Sequence, residues 1–296
     1  MMRFRPAAMA ALAFLAIGQA CAADRPVPVA PNAQTFLLGS LKLVSLADAR
    51  YVVSNDGKTF GVEAGPAAVA KLLARAGLPT DHVTLAVDAL LVVEPGHVIL
   101  LDTGLGPGAH GVLQASLAKA GYKPADVTDV LVTHTHGDHI GGLVTAAGGP
   151  AFPTAAIRMS ATEWDWFRTK AGGGGVIKAV GPQVKTFEAG VPILPGISPI
   201  AISGHTPGHV GYEISSGGQK LLDIGDTAHS SLLSLAKPDW SNGFDEDGTQ
   251  GKVSRRDTLT MLAGSHELVF APHFPFPGVG RIEKAGDGFV WKPALK

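Results

Sequence analysis

The hexapeptide His134-Thr135-His136-Gly137-Asp138-His139 gathers three imidazoles and a carboxylate into one short stretch. Neutral imidazole nitrogens and carboxylate oxygens are the donors that zinc and similar divalent ions select. His134 and His136 are two apart, and residues at that spacing in an extended segment point to one side, so both rings can reach one ion. Gly137 permits a sharp turn that brings Asp138 and His139 round to a neighbouring position. The chain holds 11 His among 296 residues. A chance His-x-His-x-Asp-His would arise in on the order of one such chain in a thousand, so the motif is specific.

One cluster fills only part of two coordination shells, so further donors must come from later in the chain. His205, Asp226 and His273 each follow a short apolar run (200–202, 220–224 and 268–270). We assign His134, His136 and His205 to one ion, and Asp138, His139 and His273 to a second. Asp226 is assigned as the bridge, because a carboxylate has two oxygens and an imidazole only one available lone pair. Two ions roughly 3.5–4 Å apart can share a water whose pKa falls to about 7, and the hydroxide attacks a carbonyl carbon or a phosphorus. Asp138 and Asp226 are the candidate catalytic carboxylates, with Asp138 placed to orient the hydroxide or protonate a leaving group.

The other candidates read more plainly. His82, His97, His110 and His266 are expected to be structural or superficial. His209 is expected to pack or hydrogen-bond behind His205, and His229, three residues after Asp226, similarly. Asp102 in Asp102-Thr103-Gly104 is expected to bond backbone or a ligand imidazole. Asp245-Glu246-Asp247-Gly248 lacks the spacing of a calcium loop and reads as a solvated acidic turn.

Elements must carry these residues to one place. Residues 36–39 and 41–46 read as paired strands around a Gly39-Ser40 turn. Runs 83–93 and 97–101, split by Glu94-Pro95-Gly96, form a hairpin signature. Residues 129–132, 200–202, 220–224 and 268–270 read as strands, each ending in a turn that holds His or Asp. Helical spacing marks 66–76, 111–121, 161–170 and 254–262. The glycines 172–175 are expected to interrupt both helix and strand. Strands that stop at one shared edge would deliver all the donors together, and the mixture of strands and helices implies a layered α/β fold.

Composition narrows the classes. The chain is 46% hydrophobic and 17% charged with a formal net charge of -1, which excludes disorder and gives no nucleic-acid footprint. Arg3 and Arg5, an apolar run from Ala7 to Ile17 and Ala20-Cys21-Ala22 describe a secretory signal over residues 1–22. A secreted or periplasmic protein without stable membrane insertion is therefore expected. Cys21, the lone cysteine, would leave with the signal, so no thiol remains as nucleophile or ligand. Residues 23–34 read as a flexible leader, and 35–296 as a single hydrolase domain with no visible linker.

Four stretches then stand in familiar order: Leu-Leu-Asp-Thr-Gly (100–104), Thr-His-Thr-His-Gly-Asp-His-Ile-Gly-Gly (133–142), Gly-His-Thr-Pro-Gly-His (204–209) and Gly-Asp-Thr (225–227). Together they resemble the metallo-β-lactamase superfamily over roughly residues 36 to 296. The resemblance implies a four-layer αββα sandwich with a metal site at one edge of its two sheets. It carries over the same seven ligands, His134, His136, Asp138, His139, His205, Asp226 and His273. Ala-Pro-His-Phe-Pro-Phe-Pro-Gly-Val-Gly-Arg-Ile (271–282) is most similar to methyl parathion hydrolases and dihydrocoumarin-type lactonases. Asp226 argues against true β-lactamases of the superfamily, and His136 stands where flavo-diiron relatives carry Glu.

The implied reaction is hydrolysis of a small hydrophobic lactone, aryl ester or phosphotriester at two divalent ions, zinc first, with Mn, Fe or Co as alternatives. β-Lactamase, thioesterase and non-catalytic metal-binding readings remain alternatives. Phe274, Phe276, Trp164 and Trp166 are the candidate walls of the substrate mouth. The glycines 172–175 are read as an inert loop, with a lid hinge as the alternative. A homodimer is one open expectation for the assembly.

Overall fold

The structure, a computed structural model, describes residues 24–295; the signal-like segment 1–22 lies outside them. Among the described residues the strands form two sheets. The first contains β1 (Arg25–Val27), β2 (Ala33–Leu38), β3 (Leu41–Ser54), β4 (His82–Glu94), β5 (His97–Leu101), β6 (Asp129–Leu131), β7 (Ala156–Ser160) and β8 (Val184–Phe187). Its order is β1-β3-β4-β5-β6-β7-β8, with β2 also paired to β3. The second contains β9 (Ile197–Ala201), β10 (Val210–Ser216), β11 (Gln219–Asp223), β12 (Leu268–Phe270), β13 (Val279–Ala285) and β14 (Gly288–Pro293), in the order β14-β13-β12-β11-β10-β9. The helices are α1 (Pro66–Arg75), α2 (Leu113–Lys119), α3 (Gly137–Ile140), α4 (Ala161–Phe167), α5 (Gly174–Val180), α6 (Leu233–Ala236) and α7 (Gly248–Ser265). No helix among the described residues is long and apolar enough to cross a membrane.

Strand alternation explains the layering. Leu90 and Val92 of β4, Ile99 and Leu101 of β5 and Leu131 of β6 face Val210, Tyr212, Ile214, Leu221 and Phe270 of the other sheet. Their neighbours Ala89, Leu91, Leu100 and Val130 point the opposite way, onto Leu113 and Leu117 of α2, Ile140 of α3 and Phe167 of α4. Behind the second sheet, Leu222 and Val269 pack on Leu235 of α6 and on Leu259 and Leu262 of α7. Period-2 strands buried on both faces thus give four layers, helix, sheet, sheet, helix. This is the αββα sandwich expected above.

Register places the site. Strands β5 and β6 are parallel, as are β11 and β12, and β9 runs in the same direction as β11 because β10 pairs antiparallel with both. The carboxyl ends of β6, β9, β11 and β12 therefore open on one edge.

Three readings need correction. The supposed leader 23–34 is tied down in part: β1 pairs antiparallel with β3, Arg25 opposite Val52, and Ala33 begins β2 opposite Leu46. Its Pro-rich composition hid an edge strand, a position that tolerates proline. The glycine run 172–175 does not exclude helix, since Gly174 and Gly175 form the first turn of α5, where tertiary packing of Val180 outweighs the entropic cost. Phe274 is fully buried beneath the second sheet, its ring 5.0 Å from that of Trp291, and so belongs to the core. Phe274→Ala is expected to lower stability by about 3–5 kcal/mol in urea unfolding. A change in substrate affinity without loss of stability would count against the core position.

Candidate metal centre

Each donor sits on a turn just past a strand of the shared edge. The segment after β6 carries His134 and His136 in extended backbone, and α3 then turns Asp138 and His139 inward. His205 follows β9, Asp226 follows β11 and His273 follows β12. His134, His136, His205 and Asp226 form one convergent group, and Asp138, His139 and His273 another. All seven sequence-assigned donors are thus brought together, in the two sets assigned from the sequence.

Asp226 joins the sets. Its Oδ2 lies 3.1 Å from His205 Nε2 and 3.6 Å from His134 Nε2. Its Oδ1 lies 3.0 Å from His139 Nε2 and 2.9 Å from His273 Nε2. His205 Nε2 is also 2.8 Å from His136 Nδ1, and Asp138 Oδ2 is 3.8 Å from His139 Nε2 and 3.5 Å from His273 Nε2. Buried Oδ1 of Asp226 makes no hydrogen bond.

The outer nitrogens show why these rings suit cations. His139 Nδ1 donates to Asp102 Oδ2 at 2.7 Å, His273 Nδ1 to the Ala86 carbonyl at 2.7 Å and His205 Nδ1 to Asp245 Oδ1 at 3.1 Å. His134 Nδ1 donates to Thr133 Oγ1 at 3.0 Å, because that hydroxyl gives its own hydrogen to Asp102 Oδ2 at 2.7 Å. In the neutral rings each Nε2 is left with a lone pair aimed inward. Convergent lone pairs and an unbonded carboxylate oxygen fit positive ions and little else.

Electrostatics agrees. Burial raises Asp226, but His139, His273 and His229 hold it well below the usual carboxylate range. Burial lowers His205, yet the Asp226 carboxylate, with its hydrogen bond and that of Asp245, lifts it to about 9. His139 and His273 are likewise raised against their burial, chiefly by Asp226. His134 is pushed well down by burial and by His139, and His136 falls to about 4 through burial and His205.

Several side chains outside the donor sets support them. Glu163, fully buried on α4, accepts from Thr135 N at 2.8 Å and Thr135 Oγ1 at 2.7 Å through Oε1. Its Oε2 accepts from Thr206 Oγ1 at 2.7 Å and Gly208 N at 3.1 Å. One carboxylate thereby locks the His134–His136 turn to the His205 turn. In sequence Ser160-x-x-Glu163 reads only as a helix start, which it also is, since Ser160 Oγ accepts from Glu163 N. Asp48 is the extra residue of a bulge in β3 and accepts from Leu105 N and Leu113 N, fixing the loop beyond Asp102. Asp245 is not a solvated turn residue. Its side chain is buried between His205 and Arg255, whose Nη2 donates to Oδ2 at 2.7 Å. His209 donates from Nδ1 to Ile202 O and accepts Asp226 N on Nε2, so it holds the bridging residue. Gly225 has φ +46°, and a Cβ there would lie 2.6 Å from that Nε2, so only glycine lets the chain pass. His82, His97, His110 and His266 lie outside both donor sets.

A cavity of about 560 Å³ opens over the centre, lined by Tyr51, Leu85, Leu105, Phe244, His229 and Asp138 among others. Of the four aromatics proposed for this mouth, only Trp166 comes near, its ring 6.3 Å from that of His136. Trp164 packs on the helix-side core, and Phe276 lines a separate cavity with Asp88 and Arg50. The walls come instead from β3, β4 and the loops after β5 and α6, which no local pattern connects.

These features agree with known proteins. The pattern of the metallo-beta-lactamase superfamily matches residues 83–273, and the chain belongs to that superfamily. Metallo-beta-lactamase domain-containing protein 1 of Xenopus laevis is 37% identical over 128 residues, covering 43% of this chain and 46% of the relative. The chain thus spans about half the length of that relative. Among solved structures, the dizinc quorum-quenching lactonase AidC, in complex with a product, N-hexanoyl-L-homoserine, is similar at a TM-score of 0.86. Identity is 29%, covering 90% of this chain and 98% of that one. The hydrolase AbOPH shares the fold, with a TM-score of 0.82, 24% identity and coverage of 90% and 99%.

Two outcomes follow from this geometry. Glu163→Gln keeps one acceptor oxygen but turns the other into an amide donor that meets the backbone N–H of Thr135 or Gly208, and it is expected to cost about 2–3 kcal/mol of stability and to reduce metal occupancy. Unchanged unfolding and full occupancy would discard the locking role. The second concerns protons. His205, His139 and His273 have raised pKa values in the metal-free site, so they hold protons that an ion must displace. Metal uptake at pH 7 is expected to release protons, and affinity to weaken as pH falls below the His205 value of about 9. Calorimetric titration in buffers of different ionisation enthalpy measures this, and uptake without proton release would refute it.

Proposed function

We propose that the protein is a dinuclear hydrolase of hydrophobic lactones and aryl esters, with phosphotriesters as secondary substrates. The observation that carries this reading is the division of the two Asp226 oxygens between two imidazole sets. His134, His136 and His205 would hold one ion, Asp138, His139 and His273 the other, and Asp226 both. Two such ions, zinc first, would lower the pKa of a water towards about 7 and polarise the substrate carbonyl.

The chain's own groups do the rest. His139 and His273 keep Asp138 ionised against its burial, as an acceptor for the proton of an attacking water. Leu85, Leu105, Tyr51 and Phe244 shape an apolar pocket for the acyl or aryl part and exclude water around it. The likeness to a dizinc lactonase supports the lactone side over a β-lactam. We further propose that the chain from β1 onward acts as one hydrolase domain, delivered outside the cytoplasm by the signal-like residues 1–22. A purified product beginning at Ala23 would support that export.

The decisive experiment is a panel of dihydrocoumarin, an acyl-homoserine lactone, p-nitrophenyl acetate, methyl paraoxon and a cephalosporin with the zinc-loaded protein. Lactone or aryl ester turnover should lead, and silence on every substrate with two bound ions would end the proposal. Asp226→Ala should lower turnover on the order of 100-fold or more, about 2.7 kcal/mol of barrier. Near-full rates with both ions retained would remove Asp226 from its bridging place.

A further inference from the structure

A second cavity, of about 500 Å³, lies behind the metal centre rather than over it. Strand alternation sets the two apart. Tyr51 of β3 and Leu85 of β4 form a cross-strand pair and line the cavity over the centre. The next pair, Arg50 and Ala86, points to the other face of the same two strands and lines the second cavity. The loop after β12 divides the two spaces, with His273 in the first and Pro275 and Phe276 in the second. Ala86 N donates to His273 O at 3.2 Å and Asp88 N to Pro272 O at 3.1 Å, which holds that loop on β4. No donor of the metal centre lines the second cavity.

Asp88 lines it, and this carboxyl group is unusual. It is buried, and its Oδ2 has no hydrogen-bond partner. The nearby bulge carboxylate Asp48, by contrast, accepts from two backbone N–H groups and fixes a loop. A buried polar atom without a partner destabilises a fold, so its presence in a cavity wall calls for a partner from outside the chain.

The chemistry of that partner follows from the wall. Burial holds Asp88 well above the usual carboxylate range, the Asp48 carboxylate raises it further, and Arg50 lowers it only in part. At neutral pH the group is a carboxylic acid with a hydrogen to donate. Arg50 pairs with Ala86, two residues from Asp88, so the two side chains are diagonal neighbours, a spacing that long side chains span. A guanidinium only donates. Ala47, Ala86, Val29 and Phe276 complete a small, apolar lining. Two donors beside an apolar wall suit a group with two acceptor oxygens and a negative charge, joined to an apolar remainder.

We propose that this cavity is a binding site for a small monocarboxylate with an apolar chain, whose carboxylate accepts hydrogen bonds from Arg50 and from Asp88. The chain lies along Val29 and Phe276. Binding needs neither metal nor turnover, so the site stands or falls apart from the hydrolase reading. Ester or lactone hydrolysis releases a carboxylate, so products of the reaction proposed above belong to the class this cavity takes.

The test titrates hexanoate into zinc-loaded protein, with hexylamine as the probe of opposite charge, and locates the bound probe by backbone amide NMR shifts. Hexanoate should shift Val29, Ala47, Ala86 and Asp88 in a saturable way. Arg50→Ala, at an exposed position, should weaken that binding about 10-fold or more, and so should Asp88→Val. Asp88→Asn keeps a hydrogen donor of the same shape, so it should bind nearly as the parent does. Metal content should match the parent in all three variants. Shifts confined to the metal centre, binding of hexylamine that Asp88→Asn abolishes, hexanoate affinity indifferent to Arg50→Ala, or no binding of either probe would each overturn the proposal. The parent, Arg50→Ala and Asp88→Asn decide the matter even where Asp88→Val does not fold.

Discussion

A buried carboxylate, Asp226, divides its two oxygens between two pairs of imidazoles. That interaction constrains much of the molecule. Its partners arrive from β6, β9 and β12, and Asp226 itself from β11, so those strand ends must share an edge. The parallel pairs β5–β6 and β11–β12 provide it. Antiparallel partners in their place would send half of the donors to the far edge. The two inner sheet faces, interdigitated through Leu90, Ile99, Leu131, Tyr212 and Phe270, hold the edges in register. The fold thus meets an electrostatic requirement with a hydrophobic core.

Convergent imidazoles need an outer ring of partners. Asp102 serves His139 and, through Thr133, His134; Asp245 serves His205; the Ala86 carbonyl serves His273. Each partner selects a tautomer as well as an orientation, which is how backbone and carboxylate groups outside the centre set its donor character. Glu163 acts one step further out by tying two donor turns to one helix.

The cavity follows a different rule. Its apolar walls, Tyr51, Leu85, Leu105 and Phe244, come from places far apart in the chain, and none of their side chains belongs to the donor sets. Such walls can vary in size and shape while the centre stays fixed.

The donor set was legible in the sequence because metal chemistry restricts residue type tightly and because each donor directly follows an apolar run. His134 to His139, His205, Asp226 and His273 needed no knowledge of distance. The layered fold was legible for a similar reason, since period-2 strands and helical spacing are local signals. The substrate wall was not. Phe274 and Phe276 follow His273 immediately, yet β12 ends and turns so that one enters the core and the other another cavity. Glu163 and Asp245 looked like helix and turn residues because their partners are 28 or more positions away. Residue types and their order therefore determined which chemistry this protein can hold. Only the tertiary structure decided which nitrogen of each ring faces the centre and what lines the space above it, because hydrogen-bond partners and cavity walls are made by contacts that no local spacing encodes.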